Sequence, residues 1–541
     1  MRSFVIVLLS LFFAFSVEAQ NQTGQLVKAK KLKGKKYRTI HRIIGQDDLG
    51  VYAVKSSKAD HIDDFVKKPV LERYDENLNL VHSMKLDKRP YAGFFLFEEL
   101  IQFNDDLVMF FTTMKKGQIV FYQKIDKQTL QPIGSPEQVS QSQLPLLFKP
   151  QMLKKINIEV SPDGEKVMVF FRHPTGAGQP ATFDMAVFGP GMEKEWEYTA
   201  RLTDENRYVH VSDAKIDNDG RVHFVIKQQG KNREVKQGGE PESRSFLQSY
   251  SRDGRLASTE LVSQFDPFSN MMLGIDVQGG LHCVSIYSNY KKRKGSAGLY
   301  TMKLAADTHE VIYQEYNAFT EQLTSQGYRA EDPKSKVTVI GNLNPSRILA
   351  YSDGTIGFIA EERTDHVGYE YRNPSSQSKY LQQGVHPLHQ NQMNSQKTER
   401  YRFGSVYAFK FNSDGTEQWS SKVLKNQHSK EEKDFYLSHG LAFLNDKIYM
   451  VFNENVKNFE VEYLEDYKGL KGKNNNQVVM VGFDREGQKS KSVLAKTKDI
   501  DVFARPIITK QVENNQLILF GQLNRKAWMG RIDINPNLAT N

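Results

Sequence analysis

One pattern recurs from end to end of this 541-residue chain: an apolar strand, a tight turn of Asp, Asn or Gly, then a strongly apolar strand. It appears first as Ile43-Ile44, Asp47-Asp48 and Val51-Tyr52-Ala53-Val54, then as Ile101-Gln102-Phe103, Asp105-Asp106 and Val108-Met109-Phe110-Phe111. The third copy runs Ile158-Glu159-Val160-Ser161-Pro162-Asp163-Gly164 into Val167-Met168-Val169-Phe170-Phe171, and the fourth sets Asp219-Gly220 between Ala214-Lys215-Ile216 and Val222-His223-Phe224-Val225-Ile226. Later copies turn at Gly279-Gly280, Asp353-Gly354, Asn445-Asp446 and Asn514-Asn515. Successive turns, taken at Asp48, Asp106, Gly164, Gly220, Gly280, Gly354, Asp446 and Asn515, lie 58, 58, 56, 60, 74, 92 and 69 residues apart. Such a period confines the chain to repeat architectures, because each unit carries an apolar face that only its neighbour can bury.

A second hairpin lies between consecutive turns, as in Leu247-Gln248-Ser249-Tyr250-Ser251-Arg252-Asp253-Gly254 and Val481-Gly482-Phe483-Asp484-Arg485-Glu486-Gly487. Asp-Gly pairs between apolar strands are strong hairpin signals because these residues tolerate positive φ. Two hairpins per unit make four strands, and eight such units in series predict an all-β, eight-bladed β-propeller, with seven blades as the alternative count. A string of sandwiches would not repeat one unit at near-constant spacing. The last unit has strands near Pro506–Thr509, Leu517–Gly521 and Trp528–Ile534 but no fourth. Leu26–Leu32 is the spare strand expected to complete it, closing the ring and hiding two sheet edges.

The extreme N-terminus reads as an export signal: basic Met1-Arg2-Ser3, apolar Phe4 to Phe15, then Val17-Glu18-Ala19 with cleavage before Gln20. Residues 1–19 are thus a signal peptide and 20–541 a single propeller domain with no membrane span, in the periplasm or cell envelope rather than fully extracellular. One cysteine in the whole chain excludes an intrachain disulfide framework, a Cys-based zinc site and a Cys-ligated cluster. Cys283, within Leu281-His282-Cys283-Val284, reads as a small buried hydrophobe. The net charge of +9 is concentrated at Lys28–Arg38 and at Lys291, Lys292, Arg293 and Lys294. In an exported chain such clusters meet an envelope protein, a glycan or another anionic surface rather than nucleic acid. The first cluster also fits an outermost strand, where lysines discourage edge pairing.

Ala408-Phe409-Lys410-Phe411-Asn412-Ser413-Asp414-Gly415-Thr416-Glu417-Gln418-Trp419 resembles the tryptophan-docking repeat of the quinoprotein-like propellers, and Gly191-Met192-Glu193-Lys194-Glu195-Trp196 is a degenerate copy. Ser161-Pro162-Asp163-Gly164 resembles the turn of TolB-type exported propellers. The resemblance implies the fold and, through several exported members, a scaffold for envelope machinery. It implies no quinone, and no cofactor is expected.

In a propeller, loops joining the first to the second strand and the third to the fourth share one face. Loops joining the second to the third strand, and blade-to-blade links, share the other. The long insertions fall in the second set: Ser56–Lys68, Gln228–Ser245, Asn289–Ala297, Arg363–Arg402 and Asn453–Asn476 within blades, and Lys88–Phe95, Ser140–Lys155, Thr320–Asn344 and Asn426–Phe435 between them. Loops on a rigid scaffold concentrate binding residues. Tyr369, Tyr371 and Tyr380 in 363–402, Phe459, Tyr463 and Tyr467 in 453–476, and Lys291, Lys292 and Arg293 are the expected binding residues, since aromatic loops offer contact area at low entropy cost.

Catalytic and metal constellations are not expected. His386-Pro387-Leu388-His389, with Asp365 and His366 upstream, lacks the helix and Glu of a zinc-protease site. Asp217-Asn218-Asp219-Gly220 has Lys215 where a calcium ligand would stand, and reads as a hairpin turn. His41, His210 and His439 lie near first strands and are the residues placed to line a central channel. The expected function is a non-catalytic exported scaffold binding an envelope protein, as a subunit of an outer-membrane assembly or secretion machine. The alternative is a carbohydrate-binding or carbohydrate-cleaving propeller with its site at the channel mouth.

Overall fold

Leu107, Met109 and Phe111 of one strand pack against Tyr52, Val54 and Leu71, while Val108 and Phe110 of the same strand pack the opposite way against Val167, Val169 and Phe171. A strand buried on both faces reads as a continuous apolar run rather than an alternating one, which is why the second strand of each repeat is so apolar. The computed structural model describes residues 23–534 apart from 34–37, 58–65, 87–93, 115–116, 144–155, 174–180, 203–206, 231–242, 263–268, 289–294, 337–338, 372–394, 430–434, 471–472 and 514.

Eight antiparallel sheets follow one another along the chain. Blade 1 spans residues 38–85, blade 2 94–143, blade 3 157–201, blade 4 207–261, blade 5 269–318, blade 6 343–423 and blade 7 440–496. Each begins at an innermost strand and ends at an outermost one. Eight clusters of buried side chains fill the eight blade-to-blade interfaces, including one between blade 8 (Ile518, Phe520, Met529) and blade 1 (Ile40, Val51, Tyr74). Full burial of each such side chain stabilises by roughly 1.5–3 kcal/mol. The protein is an eight-bladed β-propeller.

The closing strand is the N-terminal one. Gly24–Lys33 pairs antiparallel with Lys526–Ile534, from Gly24↔Ile534 to Lys33↔Lys526. Lys30 and Lys31 are exposed on this outer strand, and Lys28 Nζ donates to Asn77 Oδ1 at 2.7 Å. One detail differs from the sequence reading: Pro506–Ile508 is a 3-10 turn, and the innermost strand of blade 8 is split around it into Phe503–Ala504 and Lys510–Val512. Proline has no N–H to give to the ladder.

The turns take the predicted backbone. Asn445 and Asp446 sit at φ 50° and 59°, and Gly220 at 80°, so the Asp/Asn/Gly choice reflects left-handed residues in the hairpins. Cys283 is fully buried, and burial pushes its thiol up to about 12, the state of an inert core residue.

Candidate functional site

The two longest strands among the described residues stand side by side in blade 6: Ile356–Tyr371 and Ser395–Phe411. Within the sheet they are flanked by Leu343–Ala350 on one side and by Glu417–Val423 and Gln427–Ser429 on the other. They continue as a two-stranded ribbon from His366↔Arg400 to Tyr371↔Ser395. At about 3.3 Å per residue the extension is roughly 20 Å long. The insertion 363–402 is therefore a ribbon in its first and last parts, not a loop. Tyr369 and Tyr371 lie on its outgoing strand; Tyr380, His386 and His389 lie outside the described residues, as do Lys291, Lys292 and Arg293. One connection departs from the one-sided pattern of insertions: residues 126–136, joining the third and fourth strands of blade 2, are longer than a tight turn and return through the Ile125↔Pro132 bridge.

The blade 7 insertion is built into the molecule rather than suspended from it. Asn453 is fully buried. Its Nδ2 donates to Tyr436 O at 2.8 Å and Ala504 O at 2.9 Å, and its Oδ1 accepts from Ala504 N at 3.2 Å. Glu454 is also buried and accepts from Gln477 Nε2 at 2.9 Å, Lys491 Nζ at 2.9 Å and the Tyr467 hydroxyl at 3.1 Å. Asn458 clamps the returning chain through reciprocal bonds with Lys468, each 2.8 Å. Tyr467 is only 8% exposed and also donates to Leu424 O at 2.7 Å, so it anchors the insertion from beneath. Phe459 covers Lys491, whose ammonium is 5.1 Å from the ring centroid. Tyr463 is 36% exposed and covers Arg329 at 5.0 Å. Arg329, from the link between blades 5 and 6, also pairs with Glu465 and with Asp466 at 2.8 Å. Of the three aromatics singled out in 453–476, only Tyr463 is exposed.

Beneath this platform Glu361 is buried between Lys425, Ser438 and His439. Burial alone would raise its pKa, but Lys425 and His439 outweigh burial and hold it at about 2. His439 is thus a buried partner of Glu361. His41 is likewise buried, and neither serves as an open channel residue.

His210 does face the channel. It lines a cavity of about 470 Å³ at the mouth on the insertion side, together with Asp213, Met271, Met272, Asn344 and Arg363. Deeper in, charges from several innermost strands converge. Arg42 pairs with Glu99, and Lys215 Nζ stands 3.1 Å from Glu159 Oε2 and 3.5 Å from Asp213 Oδ1. Burial raises Glu159 above the usual carboxylate range even though Lys215 opposes the shift. Among the described residues no cluster of His, Cys, Asp and Glu is arranged to hold a metal ion.

A chain of polar groups that sequence reasoning missed runs through blade 4. Asp217 Oδ2 is 3.1 Å from His223 Nε2, His223 Nδ1 is 2.6 Å from Ser249 Oγ, and Ser249 Oγ is 2.5 Å from His309 Nε2. It has the composition of a Ser-His-Asp triad, yet Ser249 and His223 are fully buried and Asp217 is 2% exposed. A nucleophile that no substrate can reach is a structural hydroxyl; here it pins the blade 5 turn carrying His309 to blade 4. The available signal was a repeated Asp-x5-His spacing, since Asp276 and His282 make the same bond at 2.8 Å in blade 5. The Asp217–Gly220 segment is the hairpin turn expected, its carboxylate taken by Arg221 and His223.

No protein family model matches the chain, and no curated protein matches it. Solved structures align with it at low identity. The WD40 domain of SCAP from fission yeast aligns over 95% of this chain and 96% of its own, at 9% identity and a TM-score of 0.37. Prolyl oligopeptidase B from Galerina marginata aligns over 90% of this chain and 55% of its own, at 9% identity and 0.38. The polysaccharide lyase Uly1 aligns over 94% and 100%, at 8% identity and 0.36. Likeness at this level says nothing about activity. What the site can do must come from its own geometry: a rigid aromatic and charged platform beside a projecting ribbon, both on the insertion face.

Proposed function

We propose that this protein is an exported scaffold whose insertion face docks another envelope protein, as a subunit of an outer-membrane assembly or secretion machine. One observation carries the proposal. Beyond the blade 6 sheet, Val367–Tyr371 and Ser395–Glu399 pair with each other and with no third strand of the described residues. A ribbon with open edges is a template for strand addition by a partner chain. The platform of Tyr463, Arg329, Glu465 and Asp466 lies on the same face and adds an aromatic and charged rim.

The experiment is recovery of partners by the tagged, natively exported protein from solubilised envelopes, with residues 366–400 replaced by Asn-Gly, which keeps the Asp365↔Tyr401 register, as the control. A stoichiometric partner lost in the control, with unchanged melting, supports docking through the ribbon. Equal recovery from both forms counts against it. N-terminal sequencing of the mature chain tests the exported setting, with Gln20 expected as the first residue.

A second reading, a glycan-processing channel, has one specific observation behind it: the raised Glu159 beside Asp213, near the cavity at the mouth. A carboxyl held above its usual range suits a general acid. Glu159→Gln should then abolish cleavage of an acidic glycan while leaving melting intact, and absence of any glycan cleavage by the wild type removes this reading.

A further inference from the structure

Lys422 is 1% exposed, yet among the described residues its ammonium makes no direct ion pair of the kind buried charges ordinarily have. It sits on the outermost strand of blade 6, cross-strand from Tyr407, and is covered by the link between blades 5 and 6, where Gln326 Oε1 accepts from its backbone N–H at 3.0 Å. The ammonium lies 4.8 Å from the ring centroid of Tyr328 and 5.5 Å from that of Tyr407. Glu362 acts on it through space only, because Glu362 Oε1 accepts from the Tyr407 hydroxyl at 2.6 Å. By contrast Lys425, on the same segment, pairs directly with Glu361.

The side chain opens into a cavity of about 360 Å³ lined by Lys422, Tyr328, Glu362, Asn342, Lys334 and Arg402. That volume falls at the small end of ordinary ligand pockets, about 300–1,000 Å³. Three cations face one carboxylate, and that carboxylate is already engaged. Lys334 and Arg402 are exposed and stand where a ligand would enter. The positive excess and the buried ammonium are the reverse of what a cation or a wholly apolar ligand requires.

We propose that this cavity binds a small molecule through an oxyanion group, a carboxylate, sulfate or phosphate. Lys422 holds the anion from within, Arg402 and Lys334 hold it at the entrance, and the Tyr328 and Tyr407 rings flank the remainder of the molecule. The inference is independent of the docking reading, since the cavity lies between blade 6 and the link that precedes it and requires no protein partner.

The test is isothermal titration of the full mature chain with glucuronate, sulfate and inorganic phosphate, each at constant ionic strength. Binding by at least one is expected, and which one binds distinguishes a carboxylate from a sulfate or phosphate source. Affinity should fall about tenfold or more in Lys422→Met, the effect of losing a charge-assisted contact, and several-fold in Arg402→Gln. Arg402 is exposed, so that variant keeps the test open even if Lys422→Met fails to fold. In the wild type, acetylation of the exposed entrance residue Lys334 by acetic anhydride, read by peptide mass spectrometry, should be suppressed by the anion that binds. No binding of any of the three, equal affinity in Arg402→Gln, or Lys334 acetylation unaffected by the anion would overturn the proposal.

Discussion

Trp419, on the outermost strand of blade 6, lies over Gly487 in the turn between the third and fourth strands of blade 7. Its indole N–H donates to Arg485 O at 2.9 Å, and a Cβ added at Gly487 would stand 2.6 Å from Trp419 Cδ2. The same relation joins other blades with tyrosine in place of tryptophan. A Cβ at Gly415 would stand 2.3 Å from Tyr313 Cε2, and one at Gly254 3.3 Å from Tyr198 Cε2. An outer-strand aromatic of one blade thus caps the turn glycine of the next.

Gly487→Ala should destabilise the protein by about 1–3 kcal/mol, because the residue sits at φ 83° and the new methyl displaces the indole. Trp419→Ala should cost a comparable amount by exposing the turn. Denaturant melts of the two single variants and the double variant test the coupling; full additivity would mean that the two residues do not act as a pair.

Removing residues 20–34 deletes the strand that completes blade 8. The Lys526–Ile534 strand would then present an open edge, and Leu26 would leave the cluster it packs against. Loss of cooperative folding or a sharply lower Tm is expected by circular dichroism. Unchanged cooperative melting would refute closure by this strand.

The polar chain of blade 4 predicts a pH dependence. His309 titrates at about 4 when folded, against 6.5 when unfolded, because burial and then nearby His223 disfavour its charged form. Burial also lowers His223. In that window the unfolded chain binds the extra proton, so stability is complete above about pH 6.5 and declines as pH falls toward 4. The slope is up to about 1.4 kcal/mol per pH unit for each histidine. His309→Gln should flatten the dependence of Tm on pH between these limits, and an unchanged profile would rule out His309 as its source.

Asn453→Ala should destabilise by about 2–3 kcal/mol, since it strands the buried Tyr436 carbonyl and both backbone groups of Ala504. Tyr463→Ala, at the exposed end of the same insertion, should cost no more than about 1 kcal/mol. Thermal melting of the two variants separates the structural root of the insertion from its outer surface. For the same reason replacement of the whole of 453–476 would compromise blade 7, and a docking test on this element should alter residues near Tyr463 instead.

Native protein should leave Cys283 unmodified by thiol reagents until it unfolds, given complete burial and a thiol shifted to about 12. Mass spectrometry after native alkylation checks this, and rapid modification would place Cys283 at an accessible site.

The repeat, the turn chemistry and the missing fourth strand were legible in the order of residues because they depend on local rules. Asn445-Asp446 and Asp219-Gly220 prefer positive φ wherever they occur, and an apolar run such as Leu107–Phe111 requires burial on both faces. The spare Leu26–Leu32 strand followed from counting. Which insertion residues are open was not legible. Phe459, Tyr463 and Tyr467 look alike along the chain, but Glu454 and Leu424 draw Tyr467 inward while Tyr463 stays outside. The Lys422 cavity left no motif, since its residues come from a link, a ribbon base and an outer strand far apart in sequence. The sequence by itself determined an eight-unit propeller, because hairpin turns and apolar periodicity act between near neighbours, and the strand count alone pointed to the distant pairing that closes it. Only the tertiary structure decided which charges are paired, which aromatics are anchors and where the Lys422 ammonium lies without a direct ion-pair partner among the described residues, because burial is set by segments that meet only after the ring has closed.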